Sequence, residues 1–342
     1  MKSLILGFHS AKGGVGRTTT MCLVALELIK RGLNVLVVDT DFEAPSLDVI
    51  LRTMPERVGK HPDGIESILN GTKRLTDAKD MVVDVIKKWH EPDYSKWIAE
   101  EITYGDSMAG ESLANLLEQA GLDNTAGKLW LLPCARGGES LKVSYENIIS
   151  STSTKNRFTS AIEALEKDKK FDIVLVDMRN GMSDAAAIIG QSVSAIVHVT
   201  QNKLAHSVMA VEAIQWYTEM NWGIPPFTAY SQDQFADRGE QSINREAQAR
   251  HEADLKKMIG GAYNAAQRRM FSGFGGPKLG SLPISPRLFL SDFGLRGYVD
   301  TQDYAEQFVD RLRDYALLQR DYSDVWKHTF TKLSVKQPTT VE

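Results

Sequence analysis

The segment Ser10-Ala11-Lys12-Gly13-Gly14-Val15-Gly16-Arg17-Thr18-Thr19 decides how the rest of the chain is read. Before it, residues 3–9 form a short apolar run, the pattern of a buried strand. After it, residues 18–31 carry Leu23, Leu26 and Ile29 at near-helical spacing and stop at Gly32, a natural C-terminal cap. Residues 33–39 are a second apolar run with β-branched residues, hence a second buried strand. Strand, glycine turn, helix and strand make one right-handed βαβ unit.

The alternation returns downstream. Residues 129–133, 172–177 and 195–200 read as strands, and 227–230 and 281–284 as less apolar ones, with helices at 157–167 and 206–217. This predicts an α/β fold, a doubly wound, mostly parallel sheet flanked by helices. Between about residues 54 and 128 the pattern breaks into short helices (64–70, 78–89, 111–119), read as a helical insertion on the sheet. Residues 240–270 are polar and helix-prone. Residues 303–330 form a long helix with Tyr304, Phe308, Leu312, Tyr315, Tyr322, Trp326 and Phe330 near one stripe, as core packing requires. A single domain over 1–332, insertion included, and a polar tail at 333–342 are expected.

Composition narrows the chemistry. A net charge of −4 does not point to nucleic acid or an anionic membrane, although Arg268, Arg269, Lys278 and Arg287 concentrate basic charge locally. Cys22 and Cys134 form no CxxC pair, which argues against a cysteine-held zinc or iron–sulfur centre and for a reducing cytoplasmic location. No apolar run approaches the roughly 18–20 residues of a membrane helix. His9 and His198 fall in predicted strands and read as ordinary core residues, and Arg136-Gly137-Gly138 reads as a turn.

The quoted loop has the makings of a phosphate cradle. Glycines let the backbone curl so that several N–H groups aim at one point, and a helix N-terminus adds its positive end. Basic side chains neutralise terminal phosphates, and a hydroxyl helps to hold Mg²⁺. Lys12, Gly13, Gly14, Val15, Gly16, Arg17, Thr18 and Thr19 are the binding candidates. Two further acidic segments follow strands: Asp39-Thr40-Asp41-Phe42-Glu43-Ala44-Pro45-Ser46-Leu47-Asp48, and Asp177-Met178-Arg179-Asn180-Gly181-Met182-Ser183-Asp184. Carboxylates at such strand ends position water or metal ligands.

The strict phosphate-loop pattern G-x-x-x-x-G-K-[ST] is missed twice, at Ala11 and at Arg17. The loop nevertheless resembles the deviant loop of the ParA/MinD family, K-G-G-x-G-K-T, in its arginine variant. Lys12 matches the hallmark lysine and Thr18 the Mg²⁺ hydroxyl. Asp41 matches the second acid of the family's D-x-D. Asp177 and Gly181 match D-x-P-x-G, with Arg179 in place of the proline. The likeness covers residues 1–50 and 129–215 well, 216–342 weakly and the 54–128 insertion not at all.

The resemblance implies a P-loop ATPase using ATP and Mg²⁺, with slow turnover, that forms a homodimer around nucleotide and regulates a protein partner in a bacterial multi-gene system. Lys12, Asp41 and Arg17 are its expected catalytic residues, with Lys12 reaching across to the other subunit's phosphates. Thr18, Asp41 and Asp177 are the expected metal residues, and the Gly181 N–H is expected to face the γ-phosphate. A catalytically weak nucleotide-binding scaffold and a ParA-like DNA-partitioning ATPase are the alternatives. Nucleic acid is the less favoured partner. No membrane attachment is expected, because residues 334–342 lack an amphipathic pattern. Tyr230-Ser231-Gln232 shows no match to the asparagine with which the family often reads the base.

Overall fold

The computed structural model describes residues 3–53, 64–92, 112–134, 152–201, 204–220, 227–233, 278–283, 294–318, 329, 331 and 332. Within them, eight strands form one sheet: β1 (Leu4–His9), β2 (Val35–Thr40), β3 (Val83–Asp84), β4 (Leu129–Leu132), β5 (Ile173–Met178), β6 (Ala195–Thr200), β7 (Phe227–Asp233) and β8 (Lys278–Pro283). Their order is β3-β4-β2-β5-β1-β6-β7-β8. Every pairing is parallel except that of β3 with β4.

Strand residues alternate between two apolar layers, as a sheet covered on both faces demands. Leu4, Leu6, Phe8, Val35, Val37, Ile173 and Leu175 face one layer. There they meet α1 (Arg17–Lys30), α5 (Val85–Trp89), α6 (Leu113–Ala120), α10 (Gly294–Asp300) and α11 (Gln302–Leu318). Leu36, Val38, Val174 and Val176 face the other, built with α3 (Ile65–Leu69), α4 (Ala78–Met81), α7 (Thr152–Lys169), α8 (Asp184–Gly190) and α9 (Leu204–Glu219). The doubly wound arrangement predicted from the strand–helix alternation is therefore present.

Helix α1 ends where the sequence places the stop. Gly32 takes φ 85°, and the N–H groups of Gly32 and Leu33 close onto the carbonyls of Ile29 (2.8 Å) and Leu28 (3.1 Å), a Schellman arrangement. Charges then fasten α1 to the C-terminal helices. Buried Glu27 accepts from Arg31 and from the Tyr298 hydroxyl (2.6 Å), and Arg31 also pairs with Asp310 at 2.6 Å. Of the aromatic stripe, Tyr304, Phe308 and Leu312 are buried, with Phe308 stacked 6.1 Å from Phe8. The side chains of Tyr315, Tyr322, Trp326 and Phe330 lie outside the described residues, as do residues 240–270, Arg136-Gly137-Gly138 and the tail at 333–342.

Residues 78–89 depart from the single helix the sequence predicts. They divide into α4, the edge strand β3 and α5. Val82 is extended (φ −81°, ψ 123°), as suits the β-branched pair Val82-Val83, and Asp84 restarts the helix by accepting the Lys87 N–H at 3.1 Å. The sequence reading also omits α2 (Leu47–Ile50), α8 and α10. For α8 a start signal is present in Ser183, whose hydroxyl caps the Ala186 N–H at 3.3 Å.

Candidate functional site

The C-terminal ends of β2, β5 and β1 lie side by side, because β5 is inserted between the two strands of the first βαβ unit. Register places Asp39 beside Asp177, and Phe8 on its other side. The quoted glycine loop leaves β1 and enters α1 at this point, where the strand order reverses and α/β sheets carry their ligands.

The loop is shaped for an anion. Gly14 and Gly16 take φ 73° and 78°, the left-handed region that glycine alone enters without strain. Gly16 caps α1 with no side-chain hydrogen bond, and no acidic side chain stands in the helix's first turn. The first N–H groups of a 14-residue helix are thus left for something outside it. A Cβ on Gly14 would meet nothing within 4 Å, so the cradle opens outward, whereas one on Gly13 would press on Asn180 at 3.0 Å. Lys12, Gly13 and Gly14 are exposed at the rim, Gly16, Thr18 and Thr19 are half-buried, and Val15 packs into the core.

Arg17 is placed otherwise. It is 7% exposed and turned inward, its Nε donating to one oxygen of Asp177 and its terminal nitrogen to Asp41 at 2.8 Å. The Thr18 hydroxyl donates to the other Asp177 oxygen at 2.7 Å. Burial works against the Arg17 charge, but the two carboxylates more than restore it and raise its pKa. Burial pushes Asp177 up, with Arg17 and Thr18 pulling back. The arrangement gathers Arg17, Thr18, Asp41 and Asp177 at one point and leaves Lys12 apart at the rim.

Asp39, given no site role in the sequence reading, organises the loop that carries Asp41. Its carboxyl accepts the N–H groups of Asp41 (3.0 Å), Ser46 (3.0 Å) and Leu47 (3.2 Å). Burial and the neighbouring Asp177 push it up to about 8, against those three donors. Arg179, in the place of the family's proline, pairs with Glu43 at 2.5 Å and so ties the two acidic loops together.

Gly181 is held at both ends. Its N–H donates to the Ser10 carbonyl at 2.8 Å, so it points at the glycine loop's own backbone. Its carbonyl accepts from His9 Nε2 at 2.9 Å. A carbonyl cannot donate, so His9 carries its proton on Nε2 and its Nδ1 accepts from the Tyr217 hydroxyl. The Tyr217 oxygen then accepts from His198 Nδ1–H at 2.7 Å. The relay runs from His198 on β6 through Tyr217 on α9 to the loop after β5. Burial lowers both rings to about 3, with mutual repulsion adding to the effect on His9, so both are neutral. The two histidines are core residues, as read, but joined ones; an apolar strand pattern does not reveal the shared tyrosine.

The donor set fits a nucleotide and its metal. The cradle's N–H groups and rim lysine suit phosphates, and the Arg17 guanidinium lies between Asp177 and Asp41. Among the described residues no group of three or more His, Cys, Asp or Glu side chains is arranged to hold a metal, so a cation here would need ligand oxygens as well as Thr18 and the acids. Cys22 and Cys134 are both buried and free. No helix among the described residues is long and apolar enough to cross a membrane.

Residues 2–78 match the family model described as ParA, the NUBPL iron-transfer P-loop NTPase. No curated protein matches the chain in sequence. Among solved structures, the MinD cell division protein of Aquifex aeolicus superposes with TM-score 0.54 at 17% identity, covering 94% of this chain and 100% of that one. The septum site-determining protein MinD of Pyrococcus horikoshii, complexed with Mg-ADP, gives 0.52 at 17%, covering 92% and 96%. A plasmid partition protein of Borrelia burgdorferi bound to AMPPNP gives 0.54 at 14%, covering 92% and 98%. Residues 2–78 thus resemble the ParA family model, and the fold is that of the MinD and partition-protein structures.

Proposed function

We propose that the chain is an ATP-binding and slowly ATP-hydrolysing switch that dimerises around the nucleotide and regulates a partner protein in the cytoplasm. The observation that carries this is the glycine loop itself, an uncapped helix N-terminus with left-handed Gly14 and Gly16 above the Thr18–Asp177 contact. Loop N–H groups would bind the phosphates, and Thr18, Asp177 and Asp41 would hold Mg²⁺. The metal supplies charge neutralisation at the β- and γ-phosphates. Asp41 would orient the attacking water. Lys12, exposed and outside the ion pairs, is free to reach a second copy's nucleotide. Departure of the γ-phosphate would release Gly181 and the Asp41 loop, which dissolves the dimer.

The test is solution mass with a slowly hydrolysed ATP analogue and Mg²⁺. The wild-type mass is expected to double and that of Lys12→Ala to stay at the monomer value, with the fold intact because Lys12 is exposed. A wild type that gives no heat with ATP in calorimetry would remove the reading.

The engagement of Asp41 and Asp177 by Arg17 favours one rival, a nucleotide-binding scaffold with little turnover. Asp41→Ala is expected to lower the hydrolysis rate by roughly a hundredfold, as loss of a positioned general base or water ligand does. Equal turnover in the two proteins would favour the scaffold. The likeness to a partition protein supports a DNA-partitioning reading in fold only; Arg268, Arg269 and Arg287 lie outside the described residues, as does the Lys278 side chain.

A further inference from the structure

We infer that Tyr217 and His198 position the loop after β5 through His9: by fixing which nitrogen of His9 carries the proton, they make His9 the donor that holds the Gly181 carbonyl. This deepens the ATP-hydrolysing reading above and rests on it for the loop's task. His9 and Ser10, at the end of β1, hold Gly181 from both sides. The Gly181 N–H donates to the Ser10 carbonyl at 2.8 Å, and its carbonyl accepts from His9 Nε2 at 2.9 Å. Gly181 takes φ 78°, so two bonds fix a residue whose backbone has wide freedom of its own. The same loop starts at Asp177 and stands against Gly13 through Asn180. Its backbone position therefore sets where the acid and the glycine turn lie relative to each other.

The direction of the relay is fixed from both ends. At one end a carbonyl only accepts, so His9 Nε2 carries the proton and Nδ1 the lone pair that takes the Tyr217 hydroxyl. At the other end His198 Nε2 is buried with no hydrogen-bond partner among the described residues. A proton there would be stranded in a dry place, so it sits on Nδ1 and is donated to the Tyr217 oxygen at 2.7 Å. His9 and His198 are register partners on β1 and β6, and both rings meet the one hydroxyl that α9 supplies. Burial keeps both rings neutral, so the tyrosine decides a tautomer and not a charge. Without the hydroxyl, the His9 proton is free to move to Nδ1, and a lone pair on Nε2 then faces the carbonyl oxygen. Gly181 loses its donor and the loop an anchor.

The test pairs ring tautomers with loop behaviour. With isotopically labelled histidine rings, NMR at neutral pH is expected to show His9 as the Nε2–H form and His198 as the Nδ1–H form. The two are assigned by their loss in His9→Gln and His198→Asn. Tyr217→Phe keeps the ring and removes the hydroxyl. It is expected to leave His9 as a mixture of both forms and to speed amide hydrogen exchange across residues 178–184 roughly tenfold, as loss of one buried hydrogen bond does. The kcat for ATP should fall by a similar factor with KM little changed, because the glycine turn that grips the phosphates is untouched. Adding His9→Gln supplies an amide N–H that needs no tautomer, so the double variant is expected to recover most of the lost protection and rate. A packing role for Tyr217 predicts a double variant no better than Tyr217→Phe. An Nε2–H form of His198, a Tyr217→Phe whose His9 form and loop exchange match wild type, or a double variant without recovery overturns the inference. If Tyr217→Phe does not fold by circular dichroism, the wild-type tautomer of His198 carries the test: Nδ1–H supports the relay and Nε2–H overturns it. Wild type that hydrolyses no ATP removes the hydrolytic reading, while ring tautomers and loop exchange still report on the relay alone.

Discussion

Replacing His9 and His198 together by Gln and Asn is expected to remove on the order of 5 kcal/mol of acid sensitivity between pH 7 and pH 4.5. Both rings are buried and lowered from 6.5 to about 3, chiefly by burial. Below pH 6.5 the unfolded chain binds two protons that the folded chain refuses. The stability these rings contribute is complete above 6.5 and is lost as pH falls toward 3, at about 1.4 kcal/mol per unit for each ring. Asp39 acts in the opposite sense. Raised to about 8, it is protonated in the fold and ionised in the unfolded chain across most of this range, so it offsets part of the loss in wild type. It cancels when variant and wild type are compared. His9→Gln keeps an N–H for the Gly181 carbonyl, and His198→Asn keeps one for Tyr217, so the relay loses its titration more than its bonds. Denaturant midpoints at several pH values measure the difference. Parallel curves for the two proteins would show that the rings are not buried and neutral.

Trp89→Ala is expected to cost about 3–5 kcal/mol, the range for removing a large buried aromatic side chain. Trp89 is fully buried, its indole N–H donates to the Leu51 carbonyl at 2.8 Å, and it packs in the same core as Leu23, Leu26, Leu113, Leu116 and Phe308. α5 and α6 share the apolar layer that holds α1, and we propose that they unfold with it as one domain. The whole unfolding curve should therefore move as one transition. A loss below about 1 kcal/mol, or an early separate transition, would make the insertion an independent unit.

The first βαβ unit was legible because its signals are local. Apolar strands, a glycine turn and the Gly32 stop each act within a few residues, and β1, β2 and α1 formed within two residues of their predicted bounds. Residues 78–89 were less legible because a β-branched pair and one capping aspartate outweigh helical periodicity over so short a span. The site divides in the same way. Lys12, Thr18, Asp41, Asp177 and Gly181 stood out through the resemblance of three short motifs, at the glycine turn and two strand ends, to those of the ParA/MinD family. Asp39, Tyr217 and the joined histidines did not, because their roles depend on partners far away in the chain.

What the sequence determined by itself was the cradle: its glycines, its helix and the acids at two strand ends follow from short-range sterics and hydrogen bonding. Only the tertiary structure decided what Arg17 does. The insertion of β5 between β1 and β2 brings Asp177 and Asp41 within reach of one buried guanidinium, and Coulomb attraction in a dry site turns that side chain inward.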